Sequence, residues 1–283
     1  MARRLDATAP AFGVEFEALL GEKREATADV DRDVAAIIAD VRTRGDAALL
    51  KLTAKFDRLD VAEVGALRVS ADEIAAAVAA SAPEVLDALE FAAARIRSFH
   101  EKQIPADIDY TDDAGVGLGA RWRPVPAVGL YVPGGTAAYP SSVLMNALPA
   151  KLAGVPRLAM VVPAPDGVLN PAVLAAAHVA GIDEIWRIGG AQAVAALAWG
   201  TETIAPVDKV VGPGNAWVAS AKRQVFGQVG IDMIAGPSEI LVVADGANDP
   251  AWIAADLLSQ AEHDTAAQAL LITDDAEFAA AVE

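Results

Sequence analysis

The sequence predicts an α/β protein built on parallel strands, because short apolar strands alternate with helical segments over much of its length. Four apolar segments end in glycine or proline and run directly into helices. They are AVGLYVPGG at 127–135, RLAMVVP at 157–163, IWRIGG at 185–190 and DKVVGPG at 208–214. The helices after them are predicted at 141–153, 171–180, 191–199 and 215–225. A parallel sheet with helical crossovers explains this alternation.

The flanking regions are predicted to be mainly helical. Residues 1–30 read as a helical arm, and apolar side chains at three-to-four spacing predict a helix over 31–56, with a similar pattern over 71–100. A polar stretch at 105–119 ends this helical region. Toward the C-terminus, the order is a strand at 238–245, a helix at 250–263, a strand at 268–274 and the first turns of a helix.

Composition narrows the class of protein. The chain has 283 residues, 54% of them hydrophobic, which is enough for two domains and argues against disorder. Its net charge of −17 argues against a general nucleic-acid or anionic-membrane binder. With no cysteine there is no disulfide, thiolate nucleophile or cysteine-ligated zinc. No apolar run is long enough to cross a bilayer, and the first ten residues lack the core of a signal peptide. We therefore expect a cytoplasmic protein with neither nucleic-acid nor membrane partners.

The charge is unevenly distributed along the chain. No lysine or arginine occurs after Arg223, whereas eleven acidic residues lie between Asp232 and Glu283. The last residues, 274–283, have the pattern of a helix that stops without a C-cap. We interpret both features as those of a piece of a longer protein, although a local fluctuation in an acidic chain would explain the first.

Three glycine-containing loops come directly after predicted strands, at 133–135, 189–192 and 212–215. Ligands of parallel α/β sheets bind at such loops, where helix N-termini offer free N–H groups. Gln192 and Asn215 could donate hydrogen bonds to a ribose or amide, and Tyr131 could stack on a nucleotide or fill the core. None of the loops matches G-x-G-x-x-G, and each glycine alone could serve only the turn.

A second candidate site lies at the end of the predicted helix 250–263. Gln260 and His263 are three residues apart, so they would share one face and could ligate Zn²⁺; a hydrogen-bonded helix-end histidine is the alternative. Ser238 begins a strand, where its hydroxyl could face a ligand or cap a turn. His100 and His178 are interpreted as structural.

Taken together, these segments resemble the histidinol dehydrogenase family. The resemblance is carried by YVPGGTAAYPSSVLMNALPAKLAGV (131–155), GGAQAVAALAWGT (189–201), VDKVVGPGNAWVASAKRQVFG (207–227), IDMIAGPSEILVVAD (231–245) and DLLSQAEHD (256–264). Their order and separation match the family pattern, and a looser similarity extends through the N-terminal helices.

The resemblance implies a zinc- and NAD-dependent enzyme that oxidises L-histidinol through L-histidinal to L-histidine, the end of histidine biosynthesis. NAD contacts would map onto Tyr131, Gln192 and Asn215, and substrate contacts onto Ser238, Gln260 and His263. Gln260 and His263 would also be zinc ligands, the metal serving to anchor the substrate. The implied assembly is a homodimer of the full-length protein.

The implied fold has two incomplete Rossmann-like domains with parallel sheets and flanking helices, plus an N-terminal helical arm. On this basis residues 1–29 form the arm. Residues 30–127 form the helix-rich part of the first domain, which 239–283 continue, and residues 128–238 form the second, NAD-binding domain.

One part of the family pattern is expected outside this sequence. The acid/base residues, an adjacent glutamate and histidine, and two further zinc ligands are expected beyond Glu283, so no catalytic residue is assigned here. We therefore predict that residues 1–283 alone do not turn over histidinol and that they associate readily. Two alternatives remain open: a related dehydrogenase for another small polyol, and a non-catalytic nucleotide-binding truncation product.

Overall fold

A computed structural model of the chain describes residues 2–134, 139–234, 239–262 and 267–283, with the side chains of 22–28 excepted. Its described helices are α1 (Phe12–Arg44), α2 (Asp46–Asp57), α3 (Ala71–Ala80), α4 (Pro83–His100), α5 (Pro140–Leu152), α6 (Pro171–Ala180), α7 (Gly190–Trp199), α8 (Ala216–Val225), α9 (Pro250–Ala261) and α10 (Ala276–Val282). Its described strands are β1 (Ile108–Thr111), β2 (Gly117–Ala120), β3 (Ala127–Tyr131), β4 (Arg157–Val161), β5 (Glu184–Trp186), β6 (Lys209–Val211), β7 (Gly230–Ile231), β8 (Glu239–Val243) and β9 (Gln268–Ile272).

The main sheet has five parallel strands in the order β5-β4-β3-β6-β7. The chain runs outward from β3 through β4 to β5, then crosses back to β6 on the other side of β3 and continues to β7. Numbered from β3, this is the order 3-2-1-4-5 of dinucleotide-binding sheets, which reverses direction between its first and fourth strands. The α/β prediction is confirmed, and the reversal point lies between β3 and β6.

Each face of this sheet has its own hydrophobic core. Ala127, Tyr131 and Val161 face one cluster, which includes buried side chains of the later part of α1 and of α2, α7 and α8. Val128 and Leu130, which alternate with them along β3, face the other cluster, with side chains of α3, α4, α5 and α6. Side chains alternate between the faces of a strand, so a strand buried on both faces is apolar throughout, as β3 is.

A second, smaller sheet pairs β8 and β9 in parallel, joined by α9, with α10 packed on α9. Asp249 and Asp275 cap α9 and α10 through side-chain oxygens that accept hydrogen bonds from the first-turn N–H groups. Strands β8 and β9 and their helix thus form the parallel unit that the sequence predicts here.

Three predicted elements differ from the structure. The helix predicted over 31–56 is broken at Gly45, whose φ of +50° ends α1 before α2 begins. The helical region over 71–100 is likewise interrupted, because Ser81 is extended and Pro83 starts a new helix, α4. The polar stretch at 105–119 contains strands β1 and β2, which form an antiparallel hairpin.

The described chain divides into two compact units, Val30–Ile234 and Met1–Asp29 with Ala235–Glu283. In the first unit, the helices between Val30 and His100 cover both faces of the five-stranded sheet. These compact units group the chain differently from the domains predicted from the sequence, in which residues 239–283 continue the domain formed by 30–127. The boundaries of the functional domains stay a prediction. None of the described helices is long and apolar enough to cross a membrane.

Candidate functional site

The loops at the carboxyl edge of the main sheet approach one another closely. A Cβ atom added to Gly134 would lie 2.8 Å from the carbonyl oxygen of Pro163, and one added to Gly189 would lie 2.5 Å from Pro163 Cγ. These glycines come after β3 and β5, and Pro163 comes after β4. Three neighbouring loops therefore pack closely at this edge, because glycine leaves no side chain at positions 134 and 189 to hold them apart from Pro163.

The loop after β6 closes against β3 at the reversal point of the sheet. Gly212 has a φ of +115°, and a Cβ atom on it would overlap the carbonyl oxygen of Tyr131. Any other residue at position 212 would push the two loops apart. The close approach of the loops after β3 and β6 places the predicted loop 212–215 where parallel sheets bind their ligands.

Tyr131 ends β3 with its ring in the core, where it is 3% exposed. Its hydroxyl accepts a hydrogen bond from the backbone N–H of Gly190, the first residue of α7, at 3.0 Å. Burial raises the pKa of Tyr131 to about 12, the negative charge of Asp57 adds to the rise, and the Gly190 N–H opposes it. The ring therefore fills the core, and the neutral hydroxyl is the part that meets the loop at the start of α7.

Gln192 lies in the first turn of α7 and is 2% exposed. No hydrogen bond to its side-chain amide is found within the part of the chain that the structure describes. Its amide oxygen and nitrogen are nevertheless not among the described side-chain atoms that are fully buried without a partner, so the end of the side chain is the part that a ligand can reach. Gln192 therefore stands at a helix N-terminus with donor and acceptor capacity that a polar ligand could use.

Asn215 is exposed and caps α8. Its Oδ1 accepts hydrogen bonds from the N–H groups of Trp217 and Val218, at 3.1 and 3.2 Å. The cap accounts for the asparagine at this position without a ligand. The cap uses the side-chain oxygen only, so the Nδ2 group stays available to donate to a ligand at the N-terminus of α8.

Two buried polar side chains on α2, Thr53 and Asp57, were not predicted from the sequence. Thr53 Oγ1 and Asp57 Oδ2 are buried, and neither has a hydrogen-bond partner among the described residues. Burial raises the pKa of Asp57, while the charge of Arg58 and the N–H of Ala164 oppose the rise. The sequence does contain a signal for these two residues: a threonine and an aspartate lie four positions apart, on the apolar face of a helix.

The predicted zinc and substrate residues are only partly described. Gln260 is half-buried one residue before the end of α9 at Ala261. His263, Ser238 and Gly135 lie outside the described residues. Within the described ranges, no group of three or more histidine, aspartate or glutamate side chains could hold a metal ion. One amide oxygen does not make a zinc site, so the described residues alone do not fit the metal.

The other two histidines occupy helix ends. His100 is the last residue of α4, where its Nδ1 lies 2.6 Å from Gln103 Oε1 and its ring meets Phe99 edge-on. His178 is exposed near the end of α6, and its carbonyl oxygen accepts from the Gly181 N–H. Both positions agree with the structural interpretation, although His178 is not in the core.

Comparison with known proteins identifies the family. The profile described as histidinol dehydrogenase matches residues 20–283. The chain is 67% identical to the histidinol dehydrogenase of Rhodospirillum rubrum and 66% identical to that of Rhizobium meliloti, over 283 residues in each case. This chain belongs to the histidinol dehydrogenase family. The resemblance found in the sequence is confirmed.

The structure agrees with membership of the histidinol dehydrogenase family. The crystal structure of histidinol dehydrogenase from Elizabethkingia anophelis superimposes with a TM-score of 0.76 at 40% identity, covering 89% of this chain and 58% of that one. All of this chain aligns with the Rhodospirillum and Rhizobium relatives, but it spans 65% of the length of each.

Proposed function

We propose that the protein is a histidinol dehydrogenase, oxidising L-histidinol through L-histidinal to L-histidine with NAD as the hydride acceptor. The observation that carries the proposal is the 67% identity to a relative of that name across the whole chain. The order of the five-stranded sheet supports the dinucleotide part of the proposal, because its reversal point is where such sheets bind nucleotides.

The residues at this edge suit a dinucleotide. The N–H groups at the starts of α7 and α8 provide partial positive charge for a pyrophosphate, and glycine loops let it approach the backbone. Gln192 would then form hydrogen bonds to the ligand through its side-chain amide, and Asn215 Nδ2 would donate to it. Tyr131 would keep the α7 N-terminus in place through its hydrogen bond from Gly190. When bound, NAD supplies the hydride-accepting ring.

The substrate side of the proposal rests on the family resemblance. Ser238, Gln260 and His263 would contact the substrate, and Gln260 and His263 would contribute to a zinc site completed by residues beyond position 283. We also propose a cytoplasmic homodimer as the complete assembly. An acid/base pair from the same later region would serve the two oxidations, so we expect residues 1–283 to bind NAD without turning over histidinol.

Titration of residues 1–283 with NAD and NADH, measured by calorimetry, tests the dinucleotide site. We predict that Gln192→Leu weakens binding about tenfold, because the leucine cannot form the hydrogen bonds of the glutamine amide. Gln228→Leu, on an exposed turn, is the matched control and leaves binding unchanged.

Two results would contradict the proposal. Failure of the unaltered protein to bind either dinucleotide would remove the assigned cofactor. Formation of NADH from NAD and histidinol by residues 1–283, at rates typical of enzymes, would show instead that the acid/base groups lie within this chain.

A further inference from the structure

A buried lysine lies beneath the loop after β6. Lys222, on α8, is 2% exposed, and its Nζ donates a hydrogen bond to the carbonyl oxygen of Gly212 at 2.8 Å. The same Nζ forms an ion pair with the carboxylate of Asp232, just after β7. A lysine is rarely buried to this extent unless it is paired.

Asp232 completes the contact with the loop. Its Oδ2 accepts a hydrogen bond from the Gly212 N–H at 2.8 Å, and its Oδ1 accepts one from the Met233 N–H. The ion pair therefore holds both the N–H and the carbonyl group of a single glycine. Gly212 has a φ of +115°, and a Cβ atom added to it would overlap the Tyr131 carbonyl oxygen, so this held position accepts only glycine.

We propose that Lys222 and Asp232 are positioning residues for the dinucleotide, a role that rests on the proposed function. By holding Gly212, they fix the start of the loop 212–215 and with it the N-terminus of α8 that Asn215 caps. A ligand site assembled from loops needs such support, because an unsupported loop must be ordered at the expense of affinity. Neither residue touches the ligand; they act through Gly212.

The burial of Lys222 also allows positioning to be separated from stability. Removing Asp232 leaves the Lys222 ammonium buried without its carboxylate, which destabilises the fold, whereas Asp232 is exposed and can be solvated when Lys222 is removed. Replacing both with apolar residues removes that penalty and is often neutral. The hydrogen bonds to Gly212 are lost in either case.

The test compares Lys222→Met, Asp232→Leu, the double variant and Arg223→Met. Arg223 is the matched control: it is the next residue of α8, carries the same charge and pairs with Asp31 rather than with the loop. Urea unfolding reports stability, and calorimetric titration with NAD reports affinity. We expect Asp232→Leu to unfold at lower urea, because it leaves Lys222 buried without its partner, and the double variant to recover most of that loss while binding NAD about tenfold more weakly. Arg223→Met should bind as the unaltered protein does.

The outcomes are distinguishable. A folded double variant that binds NAD as tightly as the unaltered protein overturns the positioning role and leaves the proposed function standing. An unaltered protein that binds no NAD overturns both. If Asp232→Leu does not fold, the double variant decides between these outcomes.

Discussion

Thr53 and Asp57 have the least favourable polar environment of the described core. Two polar atoms without partners, Thr53 Oγ1 and Asp57 Oδ2, lie on one face of α2. Burial raises the pKa of Asp57 above its ordinary value of 3.8, so its charged form is the one that the folded state disfavours. A carboxyl group of this kind contributes most stability below its unfolded pKa, and the contribution is lost as pH rises through the folded pKa.

We therefore predict that Asp57→Asn stabilises the protein more at about pH 8 than at about pH 4, close to the ordinary value, by on the order of 1 kcal/mol, because the asparagine carries no charge to desolvate. Urea unfolding at the two pH values measures the difference. Asp60→Asn, three residues further on at an exposed position, is the matched control. A constant effect of Asp57→Asn across this range would indicate that the carboxylate has a partner when charged.

Residue types pointed to some of the candidate site residues and not to others. Gln192 and Asn215 were predicted as ligand contacts because amides beside glycine loops are chemically conspicuous; the structure places both at helix N-termini, and their role in binding stays a prediction. Lys222 was not, because in sequence it is one basic residue of AKRQ on an amphipathic helix. Its burial depends on Asp232, ten residues later, and only the fold brings the two together.

At the scale of elements, the loop after β6 depends on a glycine. We predict that Gly212→Ala destabilises the protein by at least about 2 kcal/mol more than Gly227→Ala, as measured by urea unfolding. Both glycines have positive φ, +115° and +102°, so both substitutions strain the backbone. Only at Gly212 does the added Cβ meet another strand, whereas nothing lies within 4 Å at Gly227. Equal decreases in the free energy of unfolding for the two variants would show that the loop after β6 moves away from β3 at little cost.

The elements themselves were predictable from local pattern wherever packing was regular. Strands β3, β4, β5 and β6 were predicted from apolar runs that end in glycine or proline, and their helices from the segments directly after those runs. The order of the strands was not predicted from these segments, because it depends on which face of the sheet each helix covers. The hairpin β1–β2 was not predicted, because all the residues of its two strands are exposed. Neither strand has a buried face, so the apolar side chains that alternate along them pack against no core.

At the scale of the whole molecule, the small sheet presents an apolar face to solvent. Leu241 pairs with Leu270, and Val243 with Ile272, and all four side chains are exposed, Val243 by 73%. Parallel sheets are normally covered on both faces, and an exposed patch of this kind favours association.

We predict that Val243→Lys reduces self-association of residues 1–283, as measured by light scattering over a range of protein concentrations. The charge interrupts the patch at its most exposed member. Val168→Lys is the control, because Val168 is similarly exposed, at 71%, but lies outside that sheet. Equal effects of the two lysines would attribute the association to net charge rather than to the patch.

Helix α7 has a consequence for motion. Every residue from Ala191 to Ala198 is buried, and most are alanine, so the helix packs against its surroundings on all sides. Backbone amides in such an element exchange with solvent only when a large part of the structure opens. Hydrogen exchange should accordingly be slowest here, and the N-terminus that faces the proposed dinucleotide belongs to a segment that hardly moves. A ligand would then meet a helix N-terminus that is already in place, and no part of its binding free energy would be needed to order α7.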